Sequence, residues 1–401
     1  MKKIHDVLVI GGGPSGATAA RLLARAGWSV AIVEKTPFPR RKVCGEFISG
    51  TSLPLLSDRA IEDAFTAGAG PEVHRVGLFA GNTVLSSAMP STGRTGWGRA
   101  LGRETLDSIL IEAATAAGAD LWQPWKAVAL ERTKDGYSCR IAKDDDEEEL
   151  DSRIVIMAKG SWEKSSLDEN FHAPAKSDLL AFKAHFRDSR LASDLMPLLV
   201  FPGGYGGMVH TDDDRVSLSC CIRRDRLERC RNSGEKAADA VLRHIAANCE
   251  GVRASLEKAR VDGPWLSAGP IRPGIRASSV GGLFFVGNIA GEAHPIVAEG
   301  ISMAMQSSWL LCRQLIGNED RLHSAETLKE IGSAYRREWR AAFATRIHAA
   351  AAFAHLAMQP HAASAAPLLK LFPAVLTWGA TLSGKAKEVV ANDPLLHHGR
   401  A

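Results

Sequence analysis

Residues 4–16 read Ile-His-Asp-Val-Leu-Val-Ile-Gly-Gly-Gly-Pro-Ser-Gly and run directly into Ala-Thr-Ala-Ala-Arg-Leu-Leu-Ala-Arg-Ala at 17–26. The apolar run 4–10 has the character of a parallel strand buried on both faces, and the Ala/Leu-rich run that follows reads as a helix. The glycines between them are spaced for a dinucleotide. Gly11 permits a tight turn, Gly13 lets a pyrophosphate approach the backbone, and Gly16 allows helix to pack on strand, while Ser15 and the free N–H groups of the helix start face anionic oxygens. A second strand, Ser29 to Val33, ends at Glu34, where an acid accepts hydrogen bonds from an adenosine ribose; Lys35 follows it.

The remaining composition narrows the class. At 401 residues the chain is long enough for two or three structural units, and 45% hydrophobic with 23% charged residues excludes both wholesale disorder and a polytopic membrane protein. Lys plus Arg total 49 against 45 for Asp plus Glu, a net charge of +4 too mild to call for a nucleic-acid partner. The seven cysteines are odd in number and contain no C-x-x-C pair, so reduced thiols in a cytoplasmic protein are expected, with no metal site. The N-terminus carries no signal-peptide pattern, which agrees with a cytoplasmic location.

Near the other end, Gly282-Leu-Phe-Phe-Val-Gly287-Asn288 is a further apolar strand closed by glycine, and a helix is expected from about Ala298. Residues 73–89 and 179–222 alternate apolar with polar or small residues, predicting a second, mainly antiparallel sheet. Tyr137 to Ile141 and Ser152 to Ile156 predict a hairpin whose tip is the acidic run 144–149. Cys220 and Cys221 are not expected to form a redox pair, because neighbours on a strand point to opposite faces.

The glycine loop with Glu34, the segment Pro39-Arg40-Arg41-Lys42-Val43-Cys44-Gly45-Glu46, the segment Gly102-Arg103-Glu-Thr-Leu106-Asp107 and the run from Gly287-Asn288 to Gly300 together resemble the FAD-dependent oxidoreductases of the geranylgeranyl reductase-like branch. That branch shares its fold with p-hydroxybenzoate hydroxylase and the flavin-dependent halogenases. The resemblance implies an α/β (α+β) chain: a Rossmann-like FAD-binding domain of the glutathione-reductase type, an inserted, mainly antiparallel substrate domain, and a helical C-terminal region. The expected boundaries are 1–55, 95–165 and 265–345 for the FAD domain, 56–94 and 166–264 for the substrate domain, and 346–401 for the helical cap.

For the cofactor, FAD, the resemblance implies that Gly287, Asn288 and Gly291 hold the ribityl and pyrophosphate portion, with Arg41 and Arg103 nearby and Arg40 equally eligible for the role of Arg41. Pro295 and the N–H groups of Gly300 and Ile301 would reach the pyrimidine side of the ring, where a helix start favours the negative charge of reduced flavin. Cys44, Glu46 and His294 are the candidate catalytic residues, and Tyr205 and His210 the candidate substrate contacts. The histidines are expected near their ordinary pKa of 6.5.

Residues 154–162 (Ile-Val-Ile-Met-Ala-Lys-Gly-Ser-Trp) resemble a segment that carries an Asp-Gly pair in aromatic hydroxylases, but Lys159 replaces the acid. The electron donor therefore stays open among NADPH, NADH and a separate donor protein. The expected reaction is hydride transfer from flavin N5 to an activated C=C bond of a bulky hydrophobic isoprenoid or polyketide. The alternatives are hydroxylation of an aromatic polyketide or phenol through a C4a-hydroperoxide, halogenation, and a non-catalytic flavin electron carrier. The tail, broken at Pro360, Pro367 and Pro373, is too interrupted to span a bilayer and is expected to cap the substrate pocket or to rest peripherally on a membrane.

Overall fold

The computed structural model describes residues 4–91, 96–160, 173, 175–280, 282–322 and 324–390. Ser161 and Trp162 of the Lys159 segment, and the cap beyond 390, lie outside the described residues. Strand Ile4–Ile10 occupies the middle of an eight-stranded sheet, parallel to Val30–Val33 on one side and to the second half of Asp146–Met157 on the other. Asp120–Trp122 and Leu283–Phe285 extend the parallel part outward. Because side chains alternate along a strand, Val7 and Val9 enter a core shared with helices Pro14–Arg25, Arg103–Ala116 and Gly300–Ile316, while Leu8 and Ile10 enter a second core with Ala127, Cys139 and Ile141. Helices thus cover one face and an antiparallel β-layer the other.

That β-layer contains the expected hairpin, with one difference. Tyr137–Lys143 pairs with Asp146 through Ser152, so the turn is only residues 144–145, with Asp144 at φ +51°, and the acids 146–149 belong to the strand. This end of the hairpin is exposed on both faces, which lets consecutive charged side chains continue the ladder without burial.

The second sheet has seven strands in the order Arg260–Ile271, Leu179–Arg187, Val216–Arg223, Gly204–His210, Leu195–Phe201, Arg75–Ala80 and Thr83–Ala88. Within it only the pairing of Leu195–Phe201 with Arg75–Ala80 is parallel. One face packs Phe182, Phe186, Leu199 and Cys220 against helices Ala237–Asn248 and Glu250–Leu256, and the other presents Ala181, Val200, Tyr205 and Cys221 to the C-terminal segment. Strand Arg260–Ile271 runs across the expected domain boundary at 264/265, since its whole length pairs with Leu179–Arg187.

Helix Ala325–Ala357 likewise runs through the expected boundary at 345/346. Capped by Ser324, it buries Tyr335, Trp339 and Phe343 in the FAD-domain core and, about three to four turns after Phe343, Ala354 and Ala357 beneath the second sheet. After Pro360 the described residues form short helices, through Ala374–Ala380 to Thr381–Lys385.

Candidate functional site

The glycine loop is shaped by what its neighbours leave no room for. Gly11 has φ +108°, and a Cβ there would lie 2.6 Å from the Ala158 carbonyl oxygen; a Cβ on Gly16 would lie 1.8 Å from the Gly11 oxygen. Gly13 is different. The nearest atoms to a Cβ at that position are the Nη2 atoms of Arg40 (3.7 Å) and Arg103 (3.8 Å), so the backbone there faces two guanidinium groups across an open cleft. Ser15 and Lys35 line the same cleft, with Lys42 and Lys159. A helix start, several cations and a bare backbone form a site for a pyrophosphate.

Glu34 closes the adenosine end. Its Oε2 accepts from Gly12 N (2.8 Å), and its Oε1 accepts from Thr36 N (2.9 Å) and Arg40 Nη1 (2.6 Å). Arg103 is fixed by Asp107 through two bonds of 2.7 and 2.8 Å; burial alone would lower its pKa, but the charge and hydrogen bonds of Asp107 hold it above the ordinary value, with Cys44 adding to the effect. Of the two arginines weighed for the first position, Arg40 faces the cleft. Arg41 instead reaches Glu104 (Nε to Oε1 3.4 Å) and packs on Gly263. Arg41 is therefore corrected to a contact between the cofactor domain and the second sheet.

Around the second turn, Asn288 lines the cleft, its side chain donating to Glu292 Oε1 (3.1 Å) and its carbonyl accepting from Arg276 Nη1 (2.5 Å). Gly287, at φ +66°, lies against Ser15 and donates its N–H to Ser307 Oγ (2.8 Å), supporting the loop from behind. Gly291 does not reach the cleft: it pairs with Ile275, and a Cβ there would lie 2.3 Å from the Trp339 ring, so its small size serves packing.

The cleft opens at its far end into a cavity of about 700 Å3. Val43, Cys44, Asn288, Gly300 and Ile301 line both spaces, and Pro295 lines the cavity. Above stand Leu78, Val200, Tyr205 and Cys221 of the second sheet; the outer wall is Phe353, Leu356, Leu369 and Leu376. Helix Gly300–Ile316 begins at the junction with no side-chain cap, leaving its first N–H groups for a ligand. Just before it, the completely buried Glu299 holds Lys385 (3.0 Å) and Arg346 (3.4 Å), and Lys385 also donates to the Val297 carbonyl (2.5 Å). The cap is thereby tied to the helix start.

Tyr205 and His294 put a polar pair on the cavity wall, phenol oxygen to Nδ1 3.1 Å. Burial pushes the Tyr205 phenol well above its ordinary pKa and lowers His294 to about 4, so the imidazole is neutral at pH 7 instead of titrating near 6.5. His210 is placed elsewhere: its Nε2 bonds the Leu191 carbonyl (2.8 Å), and it does not border the cavity. It is corrected to a structural histidine.

Glu46 borders the cavity but is wholly buried, at φ +64°. Its Oε1 receives Lys183 Nζ and Arg103 N (3.1 Å), and its Oε2 lies 2.8 Å from His185 Nε2. Burial alone would raise its pKa; the His185 hydrogen bond and the Lys183 charge outweigh it and hold the carboxyl at about 2. A group so firmly ionised has no proton to give near neutral pH, which corrects the expected donor role to that of an anchor. Cys44 sits at the junction, half-buried, its sulfur accepting from Glu46 N (3.4 Å). Lys183 and His185 were not foreseen. Their spacing on an otherwise apolar strand, which puts both on one face, was the available signal.

These features meet the demands of FAD: a pyrophosphate cradle, a ribose acid, and a helix start where the ring end would lie. The sequence is 24% identical over 372 residues to conditioned medium factor receptor 1 of Dictyostelium discoideum, covering 85% of this chain and 68% of that one. It is 24% identical over 323 residues to digeranylgeranylglycerophospholipid reductase 1 of Methanothermobacter thermautotrophicus, covering 76% and 75%. In structure it is similar to the myxobacterial chondrochloren halogenase CndH, with TM-score 0.77, 17% identity, and 98% and 95% coverage. The profile of the FAD binding domain family matches residues 5–342, and the chain belongs to that family as a FAD-dependent oxidoreductase.

Proposed function

We propose that the protein reduces an activated C=C bond of a bulky, apolar metabolite of the isoprenoid or polyketide class. The observation carrying this reading is the cavity of about 700 Å3, walled mainly by aliphatic side chains and continuous with the far end of the dinucleotide cleft. FAD, when bound, supplies hydride chemistry there. The chain's own residues do the rest. The aliphatic walls orient the substrate and exclude water, and the Gly300 and Ile301 N–H groups favour negative charge at the helix start.

The Cys44 thiol, bordering both the cleft and the cavity, carries the proton that completes the reduction and regains it from solvent. His294, neutral near pH 7, acts as a hydrogen-bond donor: with the Tyr205 phenol donating to Nδ1, the ring presents its Nε2 hydrogen to the activating group of the substrate. NADPH, NADH or a separate donor protein supplies the electrons.

In anaerobic stopped flow, the reduced yellow protein is expected to reoxidise on adding an unsaturated isoprenoid or polyketide, and His294→Ala to slow that step by about 100-fold while leaving reduction of the flavin unchanged. Because burial holds His294 near 4, the rate of the wild-type step is expected to show no limb near pH 6.5. Substrate-dependent O2 uptake without anaerobic reoxidation would replace reduction by oxygen chemistry.

A further inference from the structure

We propose that the outer face of the C-terminal cap docks on an anionic lipid bilayer, with the cavity mouth opening into the lipid. Leu368, Leu371, Phe372, Val375 and Trp378 are between 44% and 72% exposed, the first three on and just after the turn Ala366–Leu371 and the last two on helix Ala374–Ala380. Leu369, Leu376 and Ala380 turn the other way and line the cavity. The cap is therefore apolar on both sides, toward the cavity and toward solvent. Val375 and Leu356, the latter 63% exposed, also line the cavity, so they stand at its mouth.

Charge selects the kind of surface. No Asp or Glu occurs between Glu338 and Glu388, whereas Arg340, His355, Lys370 and Lys387 of that stretch are exposed. A stretch whose exposed charged side chains, Arg340, Lys370 and Lys387, are all positive and which carries an exposed apolar face complements anionic headgroups over acyl chains. No single helix among the described residues is long and apolar enough to cross a membrane; the segments 362–371 and 374–385 are apolar enough only when taken together, and they are bent by 111°. The exposed face is not a loosely held flap: Lys385 ties it to Glu299, and Thr377 bonds Ser87 Oγ (2.8 Å) and the Ala88 carbonyl (2.6 Å). A protein partner on this face would seal the mouth, whereas a bilayer leaves it open to an apolar molecule entering sideways.

The test is cosedimentation of the full-length, FAD-loaded protein with vesicles of phosphatidylglycerol and phosphatidylcholine, against vesicles of phosphatidylcholine alone. Binding to the anionic vesicles is expected to be at least about tenfold stronger and to weaken with salt. Leu368→Ser with Phe372→Ser is expected to reduce it by about 100-fold, at unchanged flavin content and melting temperature, since both side chains are exposed. Lys370→Glu, which leaves the apolar face intact, is expected to erase the preference for anionic vesicles. Equal binding of wild type and the double variant would overturn the proposal, as would a dimer abolished by the double variant with no vesicle binding. Neither arm depends on substrate turnover.

Discussion

Replacing Gly13 by aspartate is expected to give a folded but colourless protein that takes up FAD at least about 100-fold more weakly. Gly13 has φ −73° and ψ −174°, extended backbone that any residue adopts, and it caps helix Pro14–Arg25, where aspartate is a favoured residue. The new side chain would project into the cleft beside Arg40 and Arg103, whose Nη2 atoms are the nearest neighbours of its Cβ. It would pair with the guanidinium groups and place a negative charge where the pyrophosphate is to lie. Visible absorbance after reconstitution measures the uptake, and a thermal melt separates lost binding from lost folding. A yellow, stoichiometric Gly13→Asp protein would mean that the phosphates bind elsewhere. Gly16→Ala would be a poor substitute for this experiment, because its Cβ would collide with the Gly11 oxygen.

Glu46→Gln is expected to destabilise the fold by about 3–5 kcal/mol, measured by urea unfolding, because it leaves Lys183 buried without its counter-charge. The same residue sets an acid limit. With a folded pKa of about 2 against an ordinary 4.5, Glu46 contributes roughly 3 kcal/mol that is fully present above pH 4.5 and is lost as the pH falls through 2. The variant should lack this component of the acid dependence. An unchanged urea midpoint would show that the buried cluster contributes no net stability. Retention of flavin reoxidation by any folded Glu46→Gln fraction would agree with an anchoring role.

What the sequence made legible was local. Strand Ile4–Ile10, the glycine loop and Glu34 lie within one stretch of chain, and their spacing specifies strand, turn, helix and acid together. The alternation at 179–222 announced the second sheet for the same reason. Contacts between distant segments were less readable. Nothing adjacent to Glu46 shows that Lys183 and His185, brought by a strand of the other sheet, will neutralise it. Arg40 and Arg41 are equivalent on paper, and only the direction of the chain through the cleft separates them. The domain boundaries moved because Arg260–Ile271 and Ala325–Ala357 each continue unbroken from one unit into the next, a continuity that composition does not mark. His294 departs from ordinary behaviour because of burial, which is a property of the assembled wall.

The tie from Lys385 and Arg346 to Glu299 makes the tail a latch on the seat of the prosthetic group. Two cations facing one carboxylate leave a surplus positive charge just behind the first turn of Gly300–Ile316, and lifting the tail would strand that carboxylate without its lysine. Loading with flavin and closure of the tail should therefore reinforce each other, by reciprocity of linked equilibria. Limited proteolysis should read this coupling directly, with cleavage near 385 slower in the yellow protein than in the stripped one.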